Sequence, residues 1–390
     1  MNNQKIISMS SLDKKSCILC INVGSSNIKF ALFKINNDMI TILRSFKTKR
    51  DKKIAFNDLQ AFVGDDFNSI KIVSHRFVLL DSKIKTPCVV SSFELNTIEN
   101  SINLAPLHNP LSVYFVKACL SFFGSFIIQS IHSDTDFYKD LPHSASGSSL
   151  PKKILDECNL SKHGFHGFAH RSMLESLKKY SNDSNFPSKI ISLQLGSGCS
   201  ICAINNNTPI DISMGYTTLG GLIMSTRHGD IDPGIIFKMH RDGGFSFDEI
   251  ESILTERSGL LGLSDNSGDI RTLIKSETNE SKEAINTFCN NIKYHIGAYI
   301  ALLGGVDCIV IGGGIGENSL FIRNKIFENL SCFGLIIDKN TNDLIGDDFY
   351  SIDSASSFVK IYICKVNEEQ ILAKEALTLL ALPIKLREKS

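Results

Sequence analysis

The chain has 390 residues, 43% of them hydrophobic and 21% charged, which excludes a disordered protein. At this length two domains are expected in place of one core. Lys+Arg and Asp+Glu both number 41, so the formal net charge is zero. That balance gives no electrostatic footprint for nucleic acid or an anionic membrane, and an anionic substrate would need a local cluster.

The segment "MNNQKIISMSSLDKKS" lacks the apolar core of a secretory signal. Residues 17–24, 28–36 and 39–46 read as three strands joined by a Gly-Ser turn and an Asn-Asn-Asp turn. A helical pattern covers 108–123, between strands at 69–74 and 125–131. The Pro-Gly-Ser-rich stretch 142–151 reads as a hinge, followed by a helix over 167–182. Strands at 188–195, 199–204 and 209–213 then repeat the opening plan, "IISLQLGSGCSICAI" against "ILCINVGSSNIKFAL". The repeat predicts two halves of similar fold. Helices over 280–303, 317–329 and 367–381 alternate with strands at 307–312 and 359–364. Mixed sheets flanked by helices, in two lobes with a cleft between them, are the expected α/β architecture. The lobes would be 1–150 and 151–366, with residues 367–390 packing back on the first.

The eleven cysteines are odd in number and irregular in spacing. Cys20, Cys202, Cys308 and Cys364 fall in apolar strand runs, where cysteine acts as a small hydrophobe. Cys17 and Cys20 form a C-x-x-C that continues a strand and opens no redox helix, and no second pair completes a zinc site. The apolar run "HIGAYIALLGGVDCIVIGGGIG" is broken by Asp307 and glycines, so no membrane span is expected. The reading is a cytosolic, reduced protein.

Two Gly-Ser turns offer backbone N–H groups and hydroxyls to a polyphosphate, and Lys29 could add a charge. "IGGGIGENS" (311–319) reads as a strand end, a glycine turn and a helix start, suited to a nucleotide against bare backbone. It lacks the ribose-binding acid of a dinucleotide fingerprint. "HGFHGFAH" (163–170) gathers three histidines, read as phosphoryl-oxygen donors or core histidines before zinc ligands. Arg227 stands in "IMSTRHGDIDPG" (223–234), where a salt bridge to Asp230 or Asp232 at a helix entrance competes with a catalytic role. Arg76, His108 and Asp134 each close an apolar run. With Arg227 they make a set able to bind a carboxylate and neutralise a phosphoryl group.

In order along nearly the whole chain, "INVGSSNIKF", "APLHNP", "HGFHG", "LGSG", "DISMGYTTLGGLIMSTRHGDIDPG", "GGIGENS" and "VNEE" resemble the acetate kinase family. That family belongs to the acetate and sugar kinase, Hsp70 and actin superfamily. The resemblance implies a two-lobed actin-like ATPase fold (a duplicated ribonuclease H-like unit) with its active site in the interdomain cleft. It implies reversible phosphoryl transfer between ATP and acetate, giving ADP and acetyl phosphate, with Mg²⁺ (or Mn²⁺), in a cytoplasmic homodimer.

Carried onto matching positions, Asp134 (as the acid/base residue), His166 and Arg227 would be catalytic, and Arg76 would bind the carboxylate beside His108. Val78, Leu107, Phe165 and Thr218 would pack the acyl chain. Gln194, Leu195, Gly196, Ser197 and Gly198 would contact nucleotide with Lys29, as would Asp269, Ile270 and Arg271. Gly314, Ile315, Gly316, Glu317 and Asn318 complete that set. Asn22 and Glu368 would hold Mg²⁺ through water.

The chain departs from the family's usual pattern at Gln194 and Ser197 (usually His and Asn), Thr218 (Pro), Gly220 (Glu) and Leu79-Leu80-Asp81 (His-Gly-Gly). These changes bear on acyl specificity and rate. A propionate or longer-acyl kinase is the alternative, and a nucleotide-binding regulator without turnover is the alternative of another class.

Overall fold

The computed structural model describes residues 16–25, 27–36, 39–106, 108–124, 126–181, 186–342 and 346–381. It divides into two α/β units, one of residues up to Asp136 with those from Asn367 onward, the other Phe137–Val366. The division therefore falls at Asp136/Phe137. The stretch 142–151 lies inside the second unit, where Tyr138 Oη already donates to Phe165 O (2.7 Å).

The first unit holds strands β1 (Cys17–Val23), β2 (Ile28–Asn36), β3 (Met39–Thr48), β4 (Ile70–Phe77), β5 (Cys88–Val89) and β6 (Ile128–Ser133). They form one sheet in the order β3-β2-β1-β4-β6-β5. β1, β4 and β6 run parallel and β1–β2–β3 antiparallel. Helices α1 (Lys52–Val63) and α2 (Asn109–Phe123) bury Leu59, Val63, Phe115 and Cys119 against Leu19, Ile21 and Val73 on one face. Alternation sends Cys20, Ser74 and Ser130 to the other face. Cys17 and Cys20 therefore lie on opposite faces of β1, which no redox pair could share.

The second unit contains β7 (Lys189–Leu195), β8 (Cys199–Asn205), β9 (Thr208–Ile212), β10 (Cys308–Gly312), β11 (Phe349–Ser351) and β12 (Lys360–Cys364). Their order is β11-β12-β10-β7-β8-β9. Read from the third strand inward, β9-β8-β7-β10-β12 repeats β3-β2-β1-β4-β6, the duplication visible in the letters. Its helices include α3 (Gly167–Tyr180), α4 (Pro233–Arg241), α5 (Asn279–Leu303), α6 (Gly313–Asn318) and α7 (Leu320–Phe327). The helix expected over 317–329 is thus two. The first starts at Gly313 itself and ends where Ser319 caps the second by accepting from Ile322 N. Helix α8 (Glu368–Ala381) belongs to the first unit, where it packs on β1 and β4.

Candidate active site

In the first unit the parallel strands end in polar residues on the face that α8 covers. Register sets Cys20 beside Ser74, Ser74 beside Ser130 and Arg76 beside His132. Arg76 donates from Nη1 to Asn22 Oδ1 (2.9 Å) and Glu368 Oε2 (3.1 Å), and from Nη2 to Asp134 Oδ2 (3.1 Å). Asn22 Nδ2 donates to Glu368 (2.8 Å) and Glu369 (2.6 Å). Burial works to lower the guanidinium's pKa, but Asp134 and Glu368 outweigh it and the net shift is upward, so Arg76 stays charged. Lys29 pairs with Glu369 at 3.5 Å. In the ion pairs among these described residues, Asp134, Glu368 and Glu369 face Arg76 and Lys29, three carboxylates to two cations.

The opposite face fixes the loop after Arg76. Asn109, fully buried at the start of α2, donates Nδ2 to Leu79 O and Ser101 O (both 2.6 Å) and accepts from Val78 N (3.5 Å). Ser112 Oγ donates to Arg76 O (3.0 Å). Val78 is buried on this loop, and His108 is buried at the N-cap position of α2. Leu107 lies outside the described residues.

In the second unit the glycine turns meet. A Cβ placed on Gly196 would lie 3.8 Å from Gln194 Nε2 and 4.0 Å from Gly314 N. One on Gly198 would lie 3.2 Å from His166 Nε2 and 3.8 Å from Arg227 Nη1. The space between an imidazole and a guanidinium is thus kept open by a missing side chain. Gly313, at φ +80°, has Leu195 O and Gln194 Nε2 where a side chain would be (2.5 and 2.8 Å), so only glycine fits there. Gln194 Oε1 is buried with no hydrogen-bond partner among the described residues.

Arg227 is half-buried and pairs with neither nearby aspartate. Asp230 accepts from Gly221 N (2.7 Å) and faces His295 (3.5 Å), and Asp232 caps α4 by accepting from Gly234 N (2.8 Å). The Arg227 guanidinium donates instead to Thr218 O (3.2 Å) and lies 3.6 Å from Met224 Sδ. Burial lowers its pKa, and the Cys199 sulfur opposes that weakly. Among the described residues no carboxylate stands within salt-bridge distance of it. A cation so placed is suited to an incoming anion.

His166, at φ +59°, occupies the left-handed region, uncommon for a residue with a side chain, at the N-cap of α3. Ser225 N donates to Ser197 O (3.1 Å), and a side chain on Gly268 would strike Ser225 O. Ser225 thereby links the 194–198 turn to Asp269–Arg271. There Asp269 caps the following short helix and pairs with Arg271 (2.6 Å), both exposed. Leu195, Ile270 and Ile315 are buried, leaving only main chain for a ligand. Glu317 is engaged internally, accepting from Gly313 N (2.9 Å) and Val366 N (3.1 Å). Asn318 donates to Gly314 O (2.9 Å), and Gly316 lies buried in α6. Phe165 is buried and Thr218 half-buried.

No group of three or more His, Cys, Asp or Glu able to hold a metal occurs among the described residues. All eleven cysteines are free.

Sequence reading missed Glu369, Asn109 and the buried His132–Glu375 pair (2.7 Å). A signal existed, since Ser74, Ser130 and His132 are polar at alternate positions of apolar strands. Glu375 lies two helical turns from Glu368.

The acetokinase family's sequence profile matches residues 42–374. The chain belongs to the acetokinase family. The acetate kinase of Clostridium novyi (strain NT) is 34% identical, over 92% of this chain and 97% of its own. A solved propionate kinase from Francisella tularensis subsp. tularensis SCHU S4 superposes with a TM-score of 0.81 at 30% identity, covering 92% and 98%. The acetate kinase of Porphyromonas gingivalis gives 0.81 at 27% identity, covering 94% and 100%. The fold is therefore the two-domain actin-like one of the acetokinase family, as the resemblance implies.

Proposed function

We propose that this chain transfers the γ-phosphoryl group of ATP to acetate, giving acetyl phosphate and ADP. The observation that carries the reading is Arg227, a half-buried guanidinium with no carboxylate partner among the described residues, beside His166 and the bare backbone of Gly198. A transferring phosphoryl group spreads negative charge over three equatorial oxygens, which a fork of N–H donors matches. Gly196, Gly198 and Gly313 leave room where side chains would block a polyphosphate.

In this reading one carboxylate oxygen attacks the γ-phosphorus. The bond to the β-phosphate oxygen breaks, and ADP leaves with its electron pair. The nucleophile is ionised at neutral pH and has no proton to lose. Asp134 is therefore assigned to orienting Arg76, which meets the substrate carboxylate, and not to proton abstraction. His166 donates a hydrogen bond to the phosphoryl oxygen.

Mg²⁺ fits the three carboxylates that face Arg76 and Lys29, and their hard oxygen donors, with Asn22, Glu368 and Glu369 as the residues that would hold it, directly or through water. When bound it neutralises phosphate charge. The homodimer stays part of the proposal, testable by analytical ultracentrifugation.

A hydroxamate-trapping assay with ATP and acetate, propionate or butyrate tests the reading. Acetyl hydroxamate in excess is expected. A preference for propionate would favour the second reading, which the 30%-identical propionate kinase supports. Nucleotide binding with no hydroxamate from any acid would leave the regulatory alternative.

A further inference from the structure

Beneath His166 runs a chain of buried hydrogen bonds that the reaction as proposed does not mention. His166 Nδ1 lies 2.9 Å from Ser200 Oγ. Ser200 Oγ lies 2.8 Å from His170 Nε2, and His170 Nδ1 lies 2.7 Å from Ser192 Oγ. Ser192, Ser200 and His170 are at most 1% exposed, so water does not substitute for a missing partner. His166 at the N-cap of α3 and His170 within its first turn are four residues apart, with His170 N donating to His166 O (3.0 Å). β7 and β8 supply the serines.

Such a chain can run in two directions, because each serine has one proton to give and each neutral imidazole one N–H and one bare nitrogen. Burial holds His170 neutral, pushing its pKa well below the ordinary value, with His166 adding to the shift. Suppose first that His166 Nδ1–H donates to Ser200, Ser200 to His170 Nε2 and His170 Nδ1–H to Ser192. The Ser192 hydroxyl proton then has nowhere to go, since Ser192 Oγ makes no other hydrogen bond among the described residues. A buried donor left without an acceptor is costly, because its lost hydration is not replaced. In the other direction every proton is used. Ser192 donates to His170 Nδ1, His170 Nε2–H to Ser200 Oγ, and Ser200 Oγ–H to His166 Nδ1.

We propose that Ser192, His170 and Ser200 form a one-way relay that fixes neutral His166 as the Nε2–H tautomer. A hydrogen-bond donor then faces the space shared by Gly198 and Arg227 Nη1. Ser192, His170 and Ser200 are positioning residues acting through His166. The anion would meet two aligned donors, with no proton transfer and no ring reorientation needed at the moment of reaction. The left-handed backbone at His166 is consistent with a ring held where the relay, and not the helix, needs it.

The inference rests on the phosphoryl role proposed for His166, but its test does not pass through activity. Histidine-selective ¹⁵N NMR of the whole wild-type chain at mildly alkaline pH, where ordinary imidazoles are neutral, reads which ring nitrogen carries the proton. Both His166 and His170 are expected as Nε2–H tautomers. Nδ1–H on either residue overturns the relay, whatever the enzyme's turnover.

In Ser200→Ala the His166 signals should move toward a tautomer mixture. Its kcat should fall about tenfold, the scale of one lost hydrogen bond, with KM for ATP nearly unchanged. Ser192→Ala, which removes only the terminal donor, should shift His170 and reduce kcat less. An unchanged His166 tautomer in a folded Ser200→Ala protein would also sink the proposal. If the tautomers are as expected and no carboxylate is phosphorylated, the relay stands and the kinase reading fails.

Discussion

Replacing Arg227 by methionine should make the protein more stable and nearly inactive at once. The arginine has one nitrogen bonded, to Thr218 O at 3.2 Å, with a thioether at 3.6 Å. Removing that bond costs about 0.5–1.5 kcal/mol. Against it stands the desolvation of a charge with no carboxylate among the described residues to repay it, several kcal/mol for full burial and a fraction of that for a half-buried group. Methionine fills similar volume without the charge. The net expectation is a gain of about 1 kcal/mol, or 2–4 °C in Tm for a unit of this size. Turnover should fall by ~10³-fold or more, because an arginine on a transferring phosphoryl group acts mainly in the transition state. Differential scanning calorimetry with and without inorganic phosphate adds a control, since phosphate should stabilise the wild type and not Arg227→Met. A variant several degrees less stable that keeps turnover within tenfold would make Arg227 a structural residue and remove the argument for the site.

Burial pushes the His75 imidazole down to about 3, and His132 adds to the shift. The unfolded chain takes up this proton below its ordinary value near 6.5 while the folded protein refuses it, so stability present above that value is lost as pH falls. About 2 kcal/mol should be gone by about pH 5. Denaturant titrations of wild type and His75→Leu should show a flatter acid limb in the variant, and parallel limbs would contradict the assignment. Asn109→Ala should cost about 3 kcal/mol by orphaning main-chain groups of Val78, Leu79 and Ser101, and should raise KM for the carboxylate more than KM for ATP. Equal changes in both would detach Asn109 from the substrate loop. Gln194→His removes an amide oxygen that has no partner among the described residues, and kcat/KM for ATP should rise about fivefold. A fall would show a pocket fitted to glutamine.

Much of this architecture is legible in the letters because strands buried on both faces are short apolar runs between turn residues. "CILCINV" and "KIISLQL" declare themselves, and so does their repetition. The two-residue β5 and three-residue β11 are too short for periodicity to register. Asp232 and Pro233 mark the entrance of α4, but nothing marks its extent, because it buries none of its residues. At the site, sequence motifs pick out Arg76, Asp134, His166 and Arg227 singly, but not what each touches. That Arg227 shuns Asp230 and Asp232, its neighbours in sequence, depends on where Gly221 and Gly234 place their N–H groups. The carboxylate partners of Asn22 lie nearly a whole chain away, at Glu368 and Glu369, and no local pattern announces a bond of that span.

The place of α8 in the chain has a consequence for how the protein is made. In the second unit the helix lying on β7 and β10, α3, precedes the strands it covers. In the first unit the helix lying on β1 and β4 is α8, which follows the whole second unit. A ribosome therefore releases β1 to β6 long before residues 368–381 exist. During that interval Arg76, His132 and Asn22 lack the carboxylates of Glu368, Glu369 and Glu375 that they hold in the finished protein. The first unit to be translated is thus the last that can close. A released chain truncated before residue 368 should hold a protease-resistant second unit and a first unit still open to cleavage.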